Sequence, residues 1–218
     1  MVIFQQRTAA VNGYFDLGHF LCDSGAMKKA LQQRTIETRV RLMAAARELV
    51  SAGGYQALRV EELVQRAGVA KGTFFAHFAD KDTLMDQLVG ERINLFLDRL
   101  DALPAPQDVP QLADAMLPLL EFMAAERYVF DVILRRSGAA AIEEIGPIAM
   151  TFGRLGQIVG KWLPCGWFRT DVAPEILIEG FEALSMQVVA LRFCALNNTL
   201  PLRERYLAYL RAWLLPSS

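Results

Sequence analysis

From Leu31 to the C-terminal end the apolar residues recur at three- and four-residue spacing, and no four-to-eight-residue alternation bounded by turn residues breaks the pattern. A chain with this period throughout buries one stripe of each segment, so the expected fold is all-α. Helices are expected at about 35–52, 60–67, 71–78, 80–103, 109–125, 126–137, 140–163, 174–197 and 202–214. Their stops are Gly53-Gly54, Gly68, Pro104-Ala-Pro106, Gly138, Pro164 to Gly166 and Asn197-Asn198. In the first helix Ile36, Val40, Met43, Ala44 and Leu49 form the stripe expected to face the core.

The N-terminal end is different. Up to Ala26 the chain mixes Phe4, Tyr14, Phe15 and Phe20 with Asn12-Gly13, Asp16, Gly18 and Ser24-Gly25, and no period lasts more than a few residues. Asp16 and Gly18 interrupt what would be the apolar centre of a secretory signal. Residues 1–30 are therefore expected to form a poorly ordered extension, with Met27-Lys28-Lys29 as a possible internal start of translation.

Charge and motif content narrow the function classes. The 23 Lys+Arg balance 24 Asp+Glu, which excludes a uniformly basic nucleic-acid binder. By segment, however, residues 27–82 hold ten basic and six acidic side chains, and residues 83–218 hold twelve and sixteen. Apolar stretches are interrupted by charges well short of the ~18–20 residues that span a bilayer, so no membrane partner is expected. Cys22, Cys165 and Cys194 are odd in number and lack CxxC spacing, which fits buried thiols in a reducing, cytoplasmic setting and supplies no zinc site. HExxH, GxSxG and GxxxxGK[ST] are absent, and His19 and His77 alone make a poor acid–base or metal centre. No catalytic residue, metal or cofactor is expected.

Between Val60 and Phe78 two short helical patterns flank Gly68, the arrangement of a helix-turn-helix whose second helix enters the major groove. In that second helix Phe74 and Phe78 face inward at i, i+4 spacing, and Lys71, Thr73, Phe75, Ala76 and His77 fall on the remaining arc. Phe75 has a second reading, as a third aromatic in five positions closing the small hydrophobic centre, and His77 has one as a plain surface residue.

Residues 58–84, LRVEELVQRAGVAKGTFFAHFADKDTL, resemble the DNA-binding signature of TetR/AcrR-type transcriptional regulators. The resemblance extends over roughly residues 35–90. It implies that Lys71, Gly72, Thr73, Phe75, Ala76 and His77 face bases and phosphates, and that Lys81 grips a phosphate from the start of the fourth helix. Three positions depart from the pattern. Phe75 replaces the usual Tyr and lacks its hydroxyl, while Arg59 and Ala70 stand where Ser or Thr commonly cap the two helices, at a cost of ~1 kcal/mol per lost cap.

The resemblance divides the chain into a DNA-binding domain at 31–82 and a helical ligand-binding and dimerisation domain at 83–218. Ligand-lining candidates are Phe122, Phe130, Met150, Phe152, Trp162, Trp167, Phe168 and Phe181, with Glu121, Arg135, Arg154, Glu182 and Arg192 as polar anchors. The segment 174–197 is apolar on nearly every face and calls for a partner surface. Phe181, Leu184, Val188, Leu191, Tyr206, Leu210 and Trp213 are the candidates for a homodimer interface. Gly153, Gly156 and Gly160 provide close helix packing or room for a ligand. The function implied is a homodimeric repressor released from a palindromic double-stranded DNA operator by an apolar or aromatic small-molecule inducer. An activator, or a family relative acting as a helical protein-interaction module, are the alternatives.

Overall fold

The computed structural model describes residues 17–137, 145–194, 196 and 199–216. Among these every regular element is helical, as the period requires. The chain divides into two compact units, residues 1–41 and 42–218. The second unit contains both the helix-turn-helix and the helices after it.

Helix α1 runs over Leu17–Gly53, beginning well before the expected Thr35. Gly18 and Gly25 each cost a helix ~1 kcal/mol but do not stop it, and no proline stands between Leu17 and Gly53. Residues 1–16 of the expected extension lie outside the described residues. The expected core stripe is also corrected. Ile36, Val40 and Ala44 are exposed, and Leu42, Met43, Ala45, Ala46 and Leu49 are the buried positions.

Helices α2 (Val60–Ala67), α3 (Lys71–His77) and α4 (Lys81–Asp101) follow, then α5 (Val109–Met123) and α6 (Arg127–Arg136). Helix α7 spans Pro147–Trp162 rather than starting near Ala140. Pro147 sits in the first turn, where its missing N–H and fixed φ suit a helix start, and residues 138–144 lie outside the described set. A single 3-10 turn, Leu163–Cys165, leads to α8 (Pro174–Arg192) and α9 (Leu202–Leu214). Helix α8 ends five residues before the expected Asn197. There Phe193 and Cys194 N–H donate to the Ala190 and Leu191 carbonyls at 3.1 and 3.2 Å and tighten the last turn. Cys165 is exposed, against the expectation of a buried thiol, and Cys194 is half-buried.

Helix α4 packs along α7 and α6, and α9 packs on α8 and α5. The α4–α7 crossing is close because Gly90 has no side chain. A Cβ there would lie 2.7 Å from the Pro147 Cβ and 3.0 Å from the Pro147 carbonyl carbon. One turn earlier the buried Asp86 carboxylate accepts the Ile148 N–H at 2.9 Å. Asp86 thus caps α7 from another helix, where Gly146 at the N-cap has no side chain to do so. Burial pushes the Asp86 carboxyl above the usual carboxylate range, and the Ile148 N–H and the Arg136 charge oppose that shift. Farther along, Arg154 donates to Asn94 Oδ1 at 2.9 Å and Asp98 at 2.7 Å, and Lys161 pairs with Asp101 at 2.6 Å.

Candidate nucleic-acid interface and buried cavity

Helix α2 ends in a left-handed residue, Gly68, at φ +64°. Its N–H donates to the Gln65 carbonyl at 3.2 Å, and the Val69 N–H reaches the Val64 carbonyl at 3.0 Å, so the helix is closed by backbone bonds. A residue with a Cβ would be strained at this φ, which fixes the tight turn into α3. Leu63, Val64 and Ala67 of α2 are buried, as are Leu42, Ala46 and Leu49 of α1 and Leu58 before α2. Phe74 and Phe78 are almost fully buried, with ring centroids 5.5 Å apart.

Phe75 is 49% exposed and touches the cluster only edge-on, with its ring 5.2 Å from that of Phe74. The core reading of Phe75 is therefore set aside. Lys71, Gly72, Phe75 and Ala76 are exposed on α3, and Thr73 and His77 are half-buried beside them. A Cβ placed on Gly72 would meet no atom of the chain within 4 Å. The absence of a side chain there serves no packing within the protein, and it leaves the backbone approachable from outside.

Neither short helix has a side-chain cap at its start, since Arg59 and Ala70 make no such bond. Ala70 has extended backbone, φ −73° and ψ 153°, the conformation from which a Ser hydroxyl caps a helix. Ala70→Ser is expected to raise the unfolding free energy by ~1 kcal/mol in chemical denaturation. An unchanged or lowered midpoint would contradict the account of this helix start. By contrast, α4 is well capped, because Asp80 Oδ1 accepts the Thr83 N–H at 2.6 Å and the Thr83 hydroxyl at 2.8 Å. These bonds hold the Asp80 carboxyl below its usual pKa.

The electrostatics around the helix-turn-helix differ from the segment count. Over residues 42–82, Arg47, Arg59, Arg66, Lys71 and Lys81 are balanced by Glu48, Glu61, Glu62, Asp80 and Asp82. The excess of basic residues lies earlier, at Lys28, Lys29, Arg34, Arg39 and Arg41 in the first unit. Lys71 pairs with Glu61 at 2.6 Å, and its hydrogen bond lowers the Glu61 pKa. Lys81 is half-buried with Nζ 4.8 Å from the Tyr128 ring centroid of α6, and burial, with the Arg59 charge, lowers its pKa.

Two further links join the helix-turn-helix region to α6. Asp82 accepts from Arg135 of α6 at 2.9 Å. The Glu126 carboxylate accepts the N–H groups of Tyr55 and Gln56 at 3.1 and 3.0 Å, just after α1. Sequence reading missed Glu126, which carries no local signal because its partners lie about 70 residues away.

Helices α4, α5, α7 and α8 line a small apolar cavity of about 30 Å³. Its walls are Ile93 and Leu97 of α4, Met116, Leu119, Leu120 and Met123 of α5, Thr151, Phe152 and Leu155 of α7, and Glu182, Ser185 and Met186 of α8. The larger concavities are open surface grooves. One of about 590 Å³ is bounded by Glu121, Arg192 and residues 199–202, and another of about 450 Å³ by Arg47, Tyr55 and Phe122 among others.

Of the candidate lining residues, only Phe152 and Glu182 reach the four-helix cavity. Phe122 stands at the second groove, edge-on to Tyr55. Phe130 stacks on Phe193, Trp162 and Phe181 are core, and Met150 is 66% exposed. Trp167 donates to the Pro106 carbonyl and stacks on Phe168. Arg135 and Arg154, expected as ligand anchors, are held by Asp82 and Asp98. The hydroxyls of Thr151 and Ser185 were missed because each looks like an ordinary helix residue until the helices meet.

The interface candidates divide by helix face. Phe181, Val188, Tyr206 and Leu210 are buried in the chain's own core, and Ser185 and Tyr206 hydroxyls lie 2.9 Å apart there. These four are unavailable to a partner surface. Leu184, Leu191 and Trp213 are half-buried, and Ile176 is 47% exposed. Trp213 lies over Gly180 and donates to the Leu177 carbonyl at 3.0 Å.

The profile described as bacterial regulatory proteins, tetR family, matches residues 42–88, the stretch from the buried half of α1 into α4. Over that stretch the chain resembles the bacterial regulatory proteins of the tetR family. Its similarity to a fatty acid metabolism regulator protein of Bacillus subtilis is 28% identity over 76 residues, covering 35% of this chain and 37% of that one. The chain thus matches little more than a third of that relative's length. The TetR-type fold is shared with FadR of Thermus thermophilus, a transcriptional repressor solved with lauroyl-CoA, at TM-score 0.59 and 22% identity over 80% of this chain and 92% of that one. It is shared also with RolR, solved with resorcinol, at TM-score 0.59 and 20% identity over 84% and 90%. No helix among the described residues is long and apolar enough to cross a membrane.

Proposed function

We propose that this chain is a homodimeric TetR-type repressor that reads DNA with α3 and is released when a small molecule fills the cavity between α4, α5, α7 and α8. The observation that carries the DNA reading is the outward face of α3. Phe75 is turned away from the core beside Lys71 and Thr73, and Gly72 is bare toward the outside. Thr73 can bond a phosphate or pack on a thymine methyl, and Phe75 can pack on sugar or a methyl group. Lys81 and Lys71 neutralise phosphates once they leave Tyr128 and Glu61. Residues 31–82 then act as the reading head and 83–218 as the sensing and pairing half.

The cavity suits a switch because it is nearly filled by its own walls, with only about 30 Å³ left between them. Sites for drug-sized ligands are on the order of 300–1,000 Å³, so an occupant must part the four helices. Two of the walls belong to α4, whose first residue is Lys81. Close-packed helices move as bodies, so parting α4 from α7 carries the head with it. In a two-fold dimer that displacement changes the spacing of two heads that must meet major grooves ~34–36 Å apart. The outward faces of α8 and α9, with Ile176, Leu184, Leu191 and Trp213, are the proposed pairing surface.

The test is selection of bound duplexes from random DNA by the full chain, followed by titration at several salt concentrations. A two-fold sequence whose affinity falls steeply with salt is expected. Recovery of no preferred sequence at low salt would overturn the DNA reading.

A further inference from the structure

We propose that the four-helix cavity selects an apolar ligand carrying one positive charge, with the Glu182 carboxylate as its counter-ion. This rests on the reading of the cavity as the effector site. Among the lining residues Glu182 is the one that ionises, and no Arg, Lys or His stands with it. Among the described residues no hydrogen bond or ion pair holds its carboxylate. The two basic side chains of α7 are engaged elsewhere, Arg154 with Asn94 and Asp98 and Lys161 with Asp101.

The carboxylate has been given room. Its Oε1 would lie only 3.1 Å from a Cβ at Gly156 of α7, so the glycine leaves the space that the acid occupies. Among apolar walls a lone carboxylate loses hydration and gains no counter-charge. Burial, with a smaller contribution from the Glu179 charge, pushes the Glu182 carboxyl up to about 7. The lining residues from α4, α5 and α7 include no titratable side chain that opposes this.

A cation entering the cavity supplies the missing counter-charge, and Phe152 lines the same cavity as an aromatic neighbour. Met116, Met123 and Met186 are flexible enough to repack around an apolar body. An anionic ligand meets the opposite field. A thioester such as the lauroyl-CoA bound by the Thermus thermophilus protein would bring phosphates to a cavity lined without a single base.

The test compares two hydrophobic ions of nearly the same size and opposite charge, tetraphenylphosphonium and tetraphenylborate, by calorimetry on the full chain near pH 7. The phosphonium is expected to bind at least tenfold more tightly. Its binding should release protons, read as an enthalpy that changes with the buffer's ionisation heat, because the cation favours ionised Glu182. In Glu182→Gln both the preference and the proton release should disappear, with thermal unfolding confirming the fold. Glu179→Gln, one helical turn away, should keep both. Equal binding of the two ions, binding of neither, or a preference that survives in Glu182→Gln would overturn the proposal. Cation binding through Glu182 without any change in DNA affinity would uphold it and overturn the effector reading.

Discussion

Phe74→Ala is expected to lower the unfolding free energy by about 3–5 kcal/mol, the range for deleting a fully buried aromatic side chain. Phe74 has no exposed surface, and its ring lies against Phe78 and Phe75 in a centre shared by three short helical segments. A head of this size has few other large side chains to close the gap, so the cavity term remains. DNA binding should be lost with the head's packing. Phe75→Ala is the control, because its exposed ring contributes little to the core and its removal should shift the denaturation midpoint only slightly while weakening DNA binding. Comparable destabilisation by the two substitutions would show that Phe75 belongs to the core after all.

Gly90→Ala should have the second-largest effect, and a sign opposite to helix propensity. In an open helix the change stabilises by ~1 kcal/mol. Here the new Cβ would stand 2.7 Å from the Pro147 Cβ and 3.1 Å from the Ile148 nitrogen, and the backbone atoms among these contacts cannot rotate away. Helices α4 and α7 must separate, which strains or breaks the Asp86 bond to the Ile148 N–H. Overpacking costs ~1–3 kcal/mol, and leaving that N–H unsatisfied adds ~1–3 kcal/mol. Net destabilisation of about 1–5 kcal/mol is expected after the propensity gain. In the proposed switch a ligand produces the same separation, so on that reading Gly90→Ala should also weaken operator binding at temperatures where the protein is folded. Wild-type stability in this variant would mean that the crossing is looser than described.

The helix-turn-helix was legible in the sequence because its signals are local. Gly68 at the turn and the i, i+4 pair Phe74 and Phe78 each act within a few residues, and the structure places them as read. The missing caps at Arg59 and Ala70 were legible for the same reason. The start of α7 was equally local, and Pro147 marks it, but the apolar period running through it concealed the break.

What the sequence did not disclose depends on helices meeting. Large aromatic side chains drew attention as ligand-lining candidates, yet Phe130, Trp162 and Phe181 pack the core, and the four-helix cavity is walled largely by Met, Leu and Ile. Period alone cannot tell a core position from a cavity wall, since both are buried faces. Likewise Arg135 and Arg154 look unattached in sequence and find carboxylates more than fifty residues away. The apolar character of α8 arises because one face joins the chain's core through Phe181 and Val188, which left the identity of the outward face unread.

The central claim, that the outward face of α3 and the start of α4 meet DNA, is tested most directly by backbone hydrogen exchange with and without a selected duplex. Slowed exchange is expected in α2, α3 and the first turn of α4 through Leu84. Helices α5 and α9, which hold no proposed contact, should change little. Protection confined to the body, or no protection in α3 under saturating DNA, would contradict the account.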